Sequence, residues 1–214
     1  MEEDDPRKIR LIMELRRANL ANAGLLGAIE QTPRALFVPA MFAARAYENV
    51  VLPIACGQSI SAPLTVAMMI DGLDLGARMK LLEVGTGSGY QAAVLSRLCR
   101  RVYTIERHRP LVSEAEARWT HLGITNITAR YGDGTRGWPE QARFPRILVT
   151  GASEVPPPAL INQLSADGIM VLPLVANGEE AEIVRITRTP RGLRFKTLFN
   201  APFLRLLSGA APES

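Results

Sequence analysis

The chain has 214 residues, of which 47% are hydrophobic and 21% are charged, a composition typical of one globular domain with a substantial core. No run approaches the roughly 20 consecutive apolar residues that span a bilayer, and no apolar segment follows the charged start MEEDDPRKIR, so we expect a cytoplasmic protein. The net charge of +4 allows acidic ligands but does not indicate nucleic-acid binding. Two cysteines and two histidines are too few for a disulfide framework or for several imidazole ligands.

The first 75 residues are predicted to be a helical region. Apolar residues recur at spacings of three and four over residues 7–31, which indicates a helix that breaks near Asn22. The following elements are a short segment closed by prolines at 32–39, an irregular stretch at 46–63 and a helix at 64–73.

From residue 79 onward, strand and helix patterns alternate. We predict strands at 79–85, 101–107, 127–134, 146–152 and 168–175, helices at 88–99, 110–123 and 157–164, and a final hairpin at 181–189 and 192–199. Such alternation predicts an α/β fold of Rossmann-like type, with a mostly parallel, doubly wound sheet and an antiparallel C-terminal edge. We expect a single domain over 1–214, with an N-terminal helical appendage at 1–75 and the ligand-binding core at 76–214.

A glycine-rich loop follows the first of these strands, in the sequence LLEVGTGSGY. Glycine lets the chain turn sharply and lets a ligand approach the main chain without meeting a Cβ atom. Gly85 and Gly87 therefore predict a ligand at the carboxyl end of this strand. The next strand, RVYTIE, ends in Glu106, about 20 residues further on, where a carboxylate can accept hydrogen bonds from ribose hydroxyls. We conclude that the ligand contains a ribose.

The spacing of the glycines distinguishes between ribose-containing ligands. A nicotinamide site favours G-x-G-x-x-G or G-x-G-x-x-A, whereas Tyr90 stands at the last position here. The observed G-x-G-x-G, preceded by Glu83, resembles the first motif of class I S-adenosylmethionine-dependent methyltransferases. Asp133, in YGDG at the end of the third strand, matches the acidic residue that reaches the adenine amino group in those enzymes. A plain turn is the alternative for YGDG taken by itself.

Several further motifs resemble one family, the protein-L-isoaspartate (D-aspartate) O-methyltransferases. They are PRALFVP, AYENVVLPIACGQSISAP, LLEVGTGSGYQAAVLSRL, TIER, GDGTRGWPE, RILVTGA and PPALINQL, and GQSIS is specific to the family. The resemblance implies that S-adenosyl-L-methionine methylates the free α-carboxylate of an isoaspartyl residue, or the corresponding group of a D-aspartyl residue, in a flexible protein segment. The ester would then cyclise to a succinimide that hydrolyses partly to normal aspartate. A monomer with no nucleic-acid or membrane partner is expected.

The resemblance also implies the site residues. Ser61 matches the serine taken as the active-site residue, and the loop of Ile54, Ala55, Cys56 and Gly57 would line the methionine end of the cofactor. Glu83 and Gly85 would hold the same end, Glu106 the ribose, and Asp133 with Gly134 the adenine, and Gly87 would also bind the cofactor. No metal site is predicted.

The predicted chemistry suits these residues. A carboxylate is ionised at neutral pH and is already a nucleophile, so methyl transfer from a sulfonium needs alignment and desolvation more than a base. Ser61 would donate a hydrogen bond that orients the carboxylate, since no G-x-S-x-G motif surrounds it. An N-cap of the following helix is the alternative role for Ser61.

The chain departs from the family pattern mainly near its C-terminus. Val175 stands where the family has glycine, Ala181 where it has glutamine, and Arg205 near a proline position. Two alternatives to repair therefore stay open, a methyltransferase for an aspartate of one dedicated peptide and a relative that binds the cofactor without turnover. An arginine at position 205 could pair with a substrate carboxylate, although we favour a solvent-exposed side chain.

Overall fold

The N-terminal region is helical, as predicted, in a computed structural model that describes residues 5–175 and 180–212. It contains helices α1 (Pro6–Arg17), α2 (Ala23–Glu30) and α3 (Pro63–Asp71). The side chain of Asn22 accepts a hydrogen bond from the main chain of Leu25 at 3.1 Å and so caps α2. This cap confirms the break predicted near Asn22.

The stretch between α2 and α3 is irregular, as predicted. It holds 3-10 turns at Arg34–Phe37, Ala40–Arg45 and Ala55–Gly57, and an antiparallel pair of two-residue strands, β1 (Leu52–Pro53) and β2 (Ser59–Ile60). Ala62 occupies the N-cap position of α3 and gives it no side-chain hydrogen bond. The side chain of Asn49 instead accepts from the main chain of Leu64 at 3.0 Å. The alternative role of Ser61 as the N-cap is therefore wrong.

A seven-stranded sheet forms the rest of the fold. Its strands are β3 (Lys80–Val84), β4 (Arg101–Glu106), β5 (Ile127–Tyr131), β6 (Phe144–Val149), β7 (Leu164–Leu174), β8 (Ala181–Thr189) and β9 (Gly192–Ala201), and its helices are α4 (Tyr90–Ser96), α5 (Arg109–His121) and α6 (Pro158–Gln163). The strand order is β5-β4-β3-β6-β7-β8-β9. The first five of these strands are parallel, and the last two pairings are antiparallel, which confirms the predicted sheet.

One prediction within the sheet was too short. Strand β7 starts at Leu164 and not at 168, because it follows α6 without an intervening loop. The pairing of β7 with β6 is irregular between Phe144 and Arg146, and Asp167 takes a positive φ of 54°. That local irregularity hides the beginning of the strand from a simple alternation of apolar and polar residues.

Apolar side chains join the helical region to the sheet. A single buried cluster contains residues from α1 to α4 and from the sheet, including Leu25, Phe37, Met69, Leu81 and Tyr90. Strand β3 is buried on both faces, as expected for the centre of a parallel sheet. Strand β3 lies between β4 and β6, where the chain reverses its direction of winding, and ligands of such sheets bind at this switch point. Within the described residues, no helix has the length and hydropathy to cross a membrane.

Candidate active site

A cleft opens at the carboxyl ends of β3 and β4, at the switch point of the sheet. Its empty volume, counted with its open mouth, is about 990 Å³. Residues 84–88, 90–91 and 105–107 line one wall, which we call the loop wall, and residues 58–61 and 202–207 line the other, which we call the cover wall. Val51, Val66, Gly134, Thr150 and Gly151 complete the lining. The predicted glycine loop and the predicted serine segment therefore face one cavity.

The glycines of the loop leave main chain open to the cleft. Gly85 has a φ of +96°, and a Cβ atom there would overlap the hydroxyl of Thr150. That hydroxyl donates to the carbonyl of Gly85 at 2.9 Å, or to that of Val84 at 3.0 Å. Gly87 has a φ of +54°, and a Cβ atom there would meet nothing nearer than Ile54 at 3.7 Å. Gly85 is thus required by packing, whereas Gly87 gives a ligand access to the main chain.

Glu106 is held firmly at the edge of the cleft. Its side chain is 5% exposed. One carboxylate oxygen accepts a hydrogen bond from the N–H of Gly87 at 2.9 Å, and the other accepts one from the N–H of His108 at 3.0 Å. Each oxygen keeps a second lone pair for a further donor. The carboxylate is therefore pre-oriented and able to accept hydrogen bonds from a ribose.

Glu83 is fully buried behind the loop and does not line the cleft. One of its oxygens accepts a hydrogen bond from the hydroxyl of Thr104 at 2.6 Å, and the other has no partner among the described residues. Burial raises the pKa of Glu83 to about 8, so its carboxyl group is mainly protonated at neutral pH. The Thr104 hydroxyl lies 2.7 Å from that of Thr86, which does line the cleft. Glu83 thus reaches the cavity through two hydroxyl groups.

The structure separates the two residues predicted to hold adenine. Gly134 lines the cleft, and a Cβ atom there would overlap Val84. Asp133 lies outside the lining, with its side chain 15% exposed. One oxygen of Asp133 accepts from the main-chain N–H of Thr135 at 2.9 Å and from its hydroxyl at 2.7 Å. In this conformation Asp133 caps a turn, which is the alternative that the sequence left open.

The predicted loop 54–57 lies outside the cleft lining. Ile54 lies beside Gly87, but neither Ile54 nor Ala55, Cys56 and Gly57 line the cleft. Cys56 and Gly57 have positive φ values of 57° and 64°. This 3-10 turn lies against α5, and Cys56 is exposed. The next four residues, 58–61, line the cleft in place of the turn.

Ser61 lies in the cover wall, and its main chain is anchored from behind. Its carbonyl accepts a hydrogen bond from the guanidinium of Arg34 at 2.9 Å. Tyr90, the first residue of α4, faces the cleft and packs edge-on against Phe37. Arg34 and Phe37 come from the motif PRALFVP, which the sequence did not assign to the site. No periodicity marks either contact, because the partners are distant along the chain.

Residues 202–207, of which the sequence analysis singled out only Arg205, form the C-terminal part of the cover wall. Two hydrogen bonds hold this segment to Ala152, which follows β6. The N–H of Ala152 donates to the carbonyl of Leu204 at 2.8 Å, and the N–H of Leu206 donates to the carbonyl of Ala152 at 2.7 Å. Phe203 packs on a small buried cluster of Ala152, Val175 and Ala181. Two of the departures from the family pattern, Val175 and Ala181, therefore support a residue of the cover wall.

Arg205 lines the mouth of the cleft, with its side chain 56% exposed. One guanidinium nitrogen lies 3.2 Å from a carboxylate oxygen of Glu154, whose side chain is itself 73% exposed. Exposed pairs of this kind contribute about 0–1 kcal/mol. The side chain is thus largely in solvent, in agreement with the interpretation that the sequence favoured.

The fold and the cleft together define a class I methyltransferase: a Rossmann-like sheet, a glycine loop after its central strand and an acidic residue after the neighbouring strand. The family model of protein-L-isoaspartate(D-aspartate) O-methyltransferase (PCMT) matches residues 6–210. The chain belongs to this family.

Individual relatives agree with the family assignment. The chain is 55% identical to a protein-L-isoaspartate O-methyltransferase of Paramagnetospirillum magneticum over 100% of both chains. It is also 55% identical to one of Rhodospirillum centenum, over 97% of this chain and 95% of the other. The fold matches a putative enzyme of the same name from Plasmodium falciparum, solved in complex with S-adenosyl-L-homocysteine, with a TM-score of 0.81. That structure is 21% identical, and the match covers 92% of this chain and 97% of the other.

Proposed function

We propose that this chain transfers a methyl group from S-adenosyl-L-methionine to the free carboxylate of an L-isoaspartyl or D-aspartyl residue in damaged proteins. The observation that carries the proposal is the cleft in which a nucleotide-type loop faces Ser61, in a chain that aligns with a relative of the family over 100% of both chains. The substrate would be a flexible protein or peptide segment, because the reacting residue must enter a cleft. We also propose that the protein is cytoplasmic, monomeric and built as a single domain.

The loop wall suits the nucleoside. Gly87 offers open main chain and the Glu106 carboxylate is pre-oriented for a ribose. Gly134, which has no room for a Cβ atom, would lie beside the adenine. Glu83 and Gly85 are assigned to the methionine end, and Glu83 would act through Thr104 and Thr86 unless it moves. Asp133 would have to turn from its cap on Thr135 to reach the adenine amino group.

The bound cofactor supplies an electrophilic methyl group on a sulfonium. A carboxylate oxygen of the substrate forms the new C–O bond while the C–S bond breaks, and the sulfur keeps the electron pair as the thioether of S-adenosyl-L-homocysteine. A negative carboxylate becomes a neutral ester, and no proton is transferred. Ser61 would therefore orient the carboxylate by donating a hydrogen bond, while the apolar side chains of the cover wall exclude water.

A pair of matched peptides tests the proposal. Radiolabelled S-adenosyl-L-methionine should give a base-labile methyl ester on an isoaspartyl peptide, and none on the same peptide with normal aspartate. Absence of label from both peptides, with cofactor binding intact by calorimetry, would contradict the proposal. That result would favour a dedicated peptide substrate or a relative without turnover.

The Ser61→Ala variant tests the role of the serine. We expect turnover to fall about 10- to 100-fold, because a hydrogen bond to a charged group contributes about 1.5–3 kcal/mol. Affinity for S-adenosyl-L-methionine should change less than twofold. A parallel loss of both quantities would show that Ser61 acts on the structure of the cleft and not on the substrate.

A further inference from the structure

Arg34 is a buried cation directly behind the cleft. Its side chain has an exposure of 0%. The guanidinium donates to the carbonyl of Ala46 at 2.8 Å and to that of Ser61 at 2.9 Å, and it lies over the ring of Tyr90 at 4.9 Å. Ser61 and Tyr90 both line the cleft. Arg34 is therefore separated from the cavity by one layer of residues.

The charge of Arg34 lacks a compensating carboxylate among the described residues. Its hydrogen-bond acceptors are neutral carbonyls, and its Nη1 atom is buried with no hydrogen-bond partner. Burial lowers the pKa of Arg34 to about 10, a value that still leaves it protonated at neutral pH. An unpaired buried cation is unfavourable by several kcal/mol, and such groups require an explanation.

Arg146 shows how the same fold buries another arginine with a carboxylate near its charge. It is also buried, and its guanidinium binds the carbonyl of Asp74 at 2.8 and 3.0 Å. The carboxylate of Asp74 lies close enough to raise the pKa of Arg146, against the larger lowering by burial. Arg146 lies on β6 and does not line the cleft. The uncompensated cation is thus the one that faces the proposed position of the substrate carboxylate.

We propose that Arg34 is a positioning residue for the substrate: its buried charge favours an anion beside Ser61, and its hydrogen bond fixes the main chain of Ser61. This inference rests on the proposed function, since the anion is the carboxylate that accepts the methyl group. The guanidinium stays behind the wall and does not contact that carboxylate. The carboxylate is thus attracted without a direct ion pair, which would reduce its nucleophilicity. After transfer the neutral ester loses this attraction, which favours release of the product.

Two peptides that differ in one charge distinguish this role from a structural one. The first carries isoaspartate, and the second carries the same residue with its α-carboxylate replaced by a carboxamide. Both are bound to the protein in the presence of S-adenosyl-L-homocysteine, and their dissociation constants are measured by calorimetry. In the Arg34→Met variant, affinity for the carboxylate peptide should fall at least tenfold, and affinity for the carboxamide peptide by less than threefold.

Two further variants serve as controls. Arg34→Lys keeps the charge and loses the forked geometry, so it should restore most of the preference for the carboxylate peptide. Arg146→Met removes a buried arginine far from the cleft, and it should lower thermal stability without changing the ratio of the two affinities. If Arg34→Met fails to fold, the ratio of the two affinities is measured in Arg34→Gln instead. It is then compared with the ratio in Arg34→Lys, because both variants have a polar side chain.

The outcomes separate the inference from the proposed function. An equal loss of affinity for both peptides in the neutral variants would overturn the electrostatic role of Arg34. That role is also overturned if Arg34→Lys loses the preference for the carboxylate peptide as completely as the neutral variants do. If the unmodified protein neither binds nor methylates the isoaspartyl peptide, the proposed function fails first, whatever Arg34 does.

Discussion

The two walls of the cleft are built in different ways. The loop wall consists of residues that follow directly after adjacent parallel strands, so its geometry is set by the sheet itself. The cover wall is assembled from a loop before α3 and a segment after β9, each held by contacts with distant residues such as Arg34 and Ala152. The same cleft thus combines a wall defined by the order of the strands with a wall that depends on contacts between distant segments.

This contrast predicts a division of effects. Changes in the loop wall should weaken binding of the cofactor and leave recognition of the peptide intact, whereas changes in the cover wall should do the reverse. The Ser61 and Arg34 variants test the second half of that statement. The variants below mainly test the first half, in order of decreasing expected effect.

The largest effect is expected for Gly85→Ala. The new Cβ atom would require a left-handed backbone, with φ at +96°, and would also overlap the hydroxyl of Thr150. We expect a loss of about 2–4 kcal/mol in the free energy of unfolding and at least a tenfold loss of cofactor affinity. Urea unfolding and calorimetry measure the two quantities.

Gly123→Ala is the matched control for this variant. Gly123 has a similar positive φ of 66°, but a Cβ atom there would meet nothing within 4 Å. In Gly123→Ala the free energy of unfolding should fall only by the cost of placing alanine in a left-handed backbone, about 1–2 kcal/mol. This variant should bind the cofactor normally. Equal losses in the two variants would mean that the contact with Thr150 does not constrain the loop.

The second effect concerns the ribose. Glu106→Gln keeps the size of the side chain but removes its negative charge. It also replaces one of the two oxygens that accept hydrogen bonds from the N–H groups of Gly87 and His108. Hydrogen bonds to charged groups contribute about 1.5–3 kcal/mol, so the dissociation constant of S-adenosyl-L-methionine should rise about 10- to 100-fold. Glu114→Gln is the control, because it loses an ion pair with Arg118 outside the cleft. It should change the dissociation constant of S-adenosyl-L-methionine less than twofold. An unchanged constant for Glu106→Gln would contradict the ribose assignment.

The third effect is a pH dependence of stability that comes from Glu83. Its pKa rises from an ordinary 4.5 to about 8 in the folded chain, mainly by burial. Between these values the folded state binds more protons than the unfolded state, so the free energy of unfolding falls as the pH increases. The contribution of this one group changes by up to about 1.4 kcal/mol per pH unit.

The Glu83→Gln variant should lack this contribution, while its side-chain oxygen can still accept the hydrogen bond from Thr104. Urea unfolding at pH 5, 6, 7 and 8 gives the difference in stability between the two proteins. That difference should shift in favour of the variant as the pH rises. Parallel curves over the whole range would show that Glu83 titrates at its ordinary pKa in the folded protein.

The same contrast explains what could be predicted from the sequence. Gly85 and Gly87 follow β3 and Glu106 ends β4, and both strands are identified by their own residues, so the meeting of these three residues at the carboxyl ends of the strands follows from strand order alone. Ser61 was found through a motif and not through any periodicity. The turn at Ala55–Gly57 has positive φ values at Cys56 and Gly57 and lies against α5, which no local pattern shows.

The unpredicted residues share a different property. Phe203 and Leu206 line the cleft and Arg34 lies behind it, and all three are placed by tertiary contacts between segments far apart in the chain. Val175 and Ala181 were recognised as departures, but their common role under Phe203 required the three-dimensional packing. A single sequence therefore determines the loop wall well and the cover wall only in outline.

The smallest effect is expected for Arg205→Ala, in the cover wall. The pair with Glu154 is solvent-exposed and contributes at most about 1 kcal/mol. The KM for an isoaspartyl peptide of zero net charge should stay within twofold of the original value. The reason is that the main chain of residues 202–207 is held by Ala152 and not by the side chain of Arg205. Glu154→Ala is the matched control and should behave in the same way. A tenfold rise in KM for Arg205→Ala alone, with unchanged thermal stability, would instead place the guanidinium on the substrate. Arg205 of the cover wall would then act on the substrate as a second charged group, besides Arg34 behind that wall.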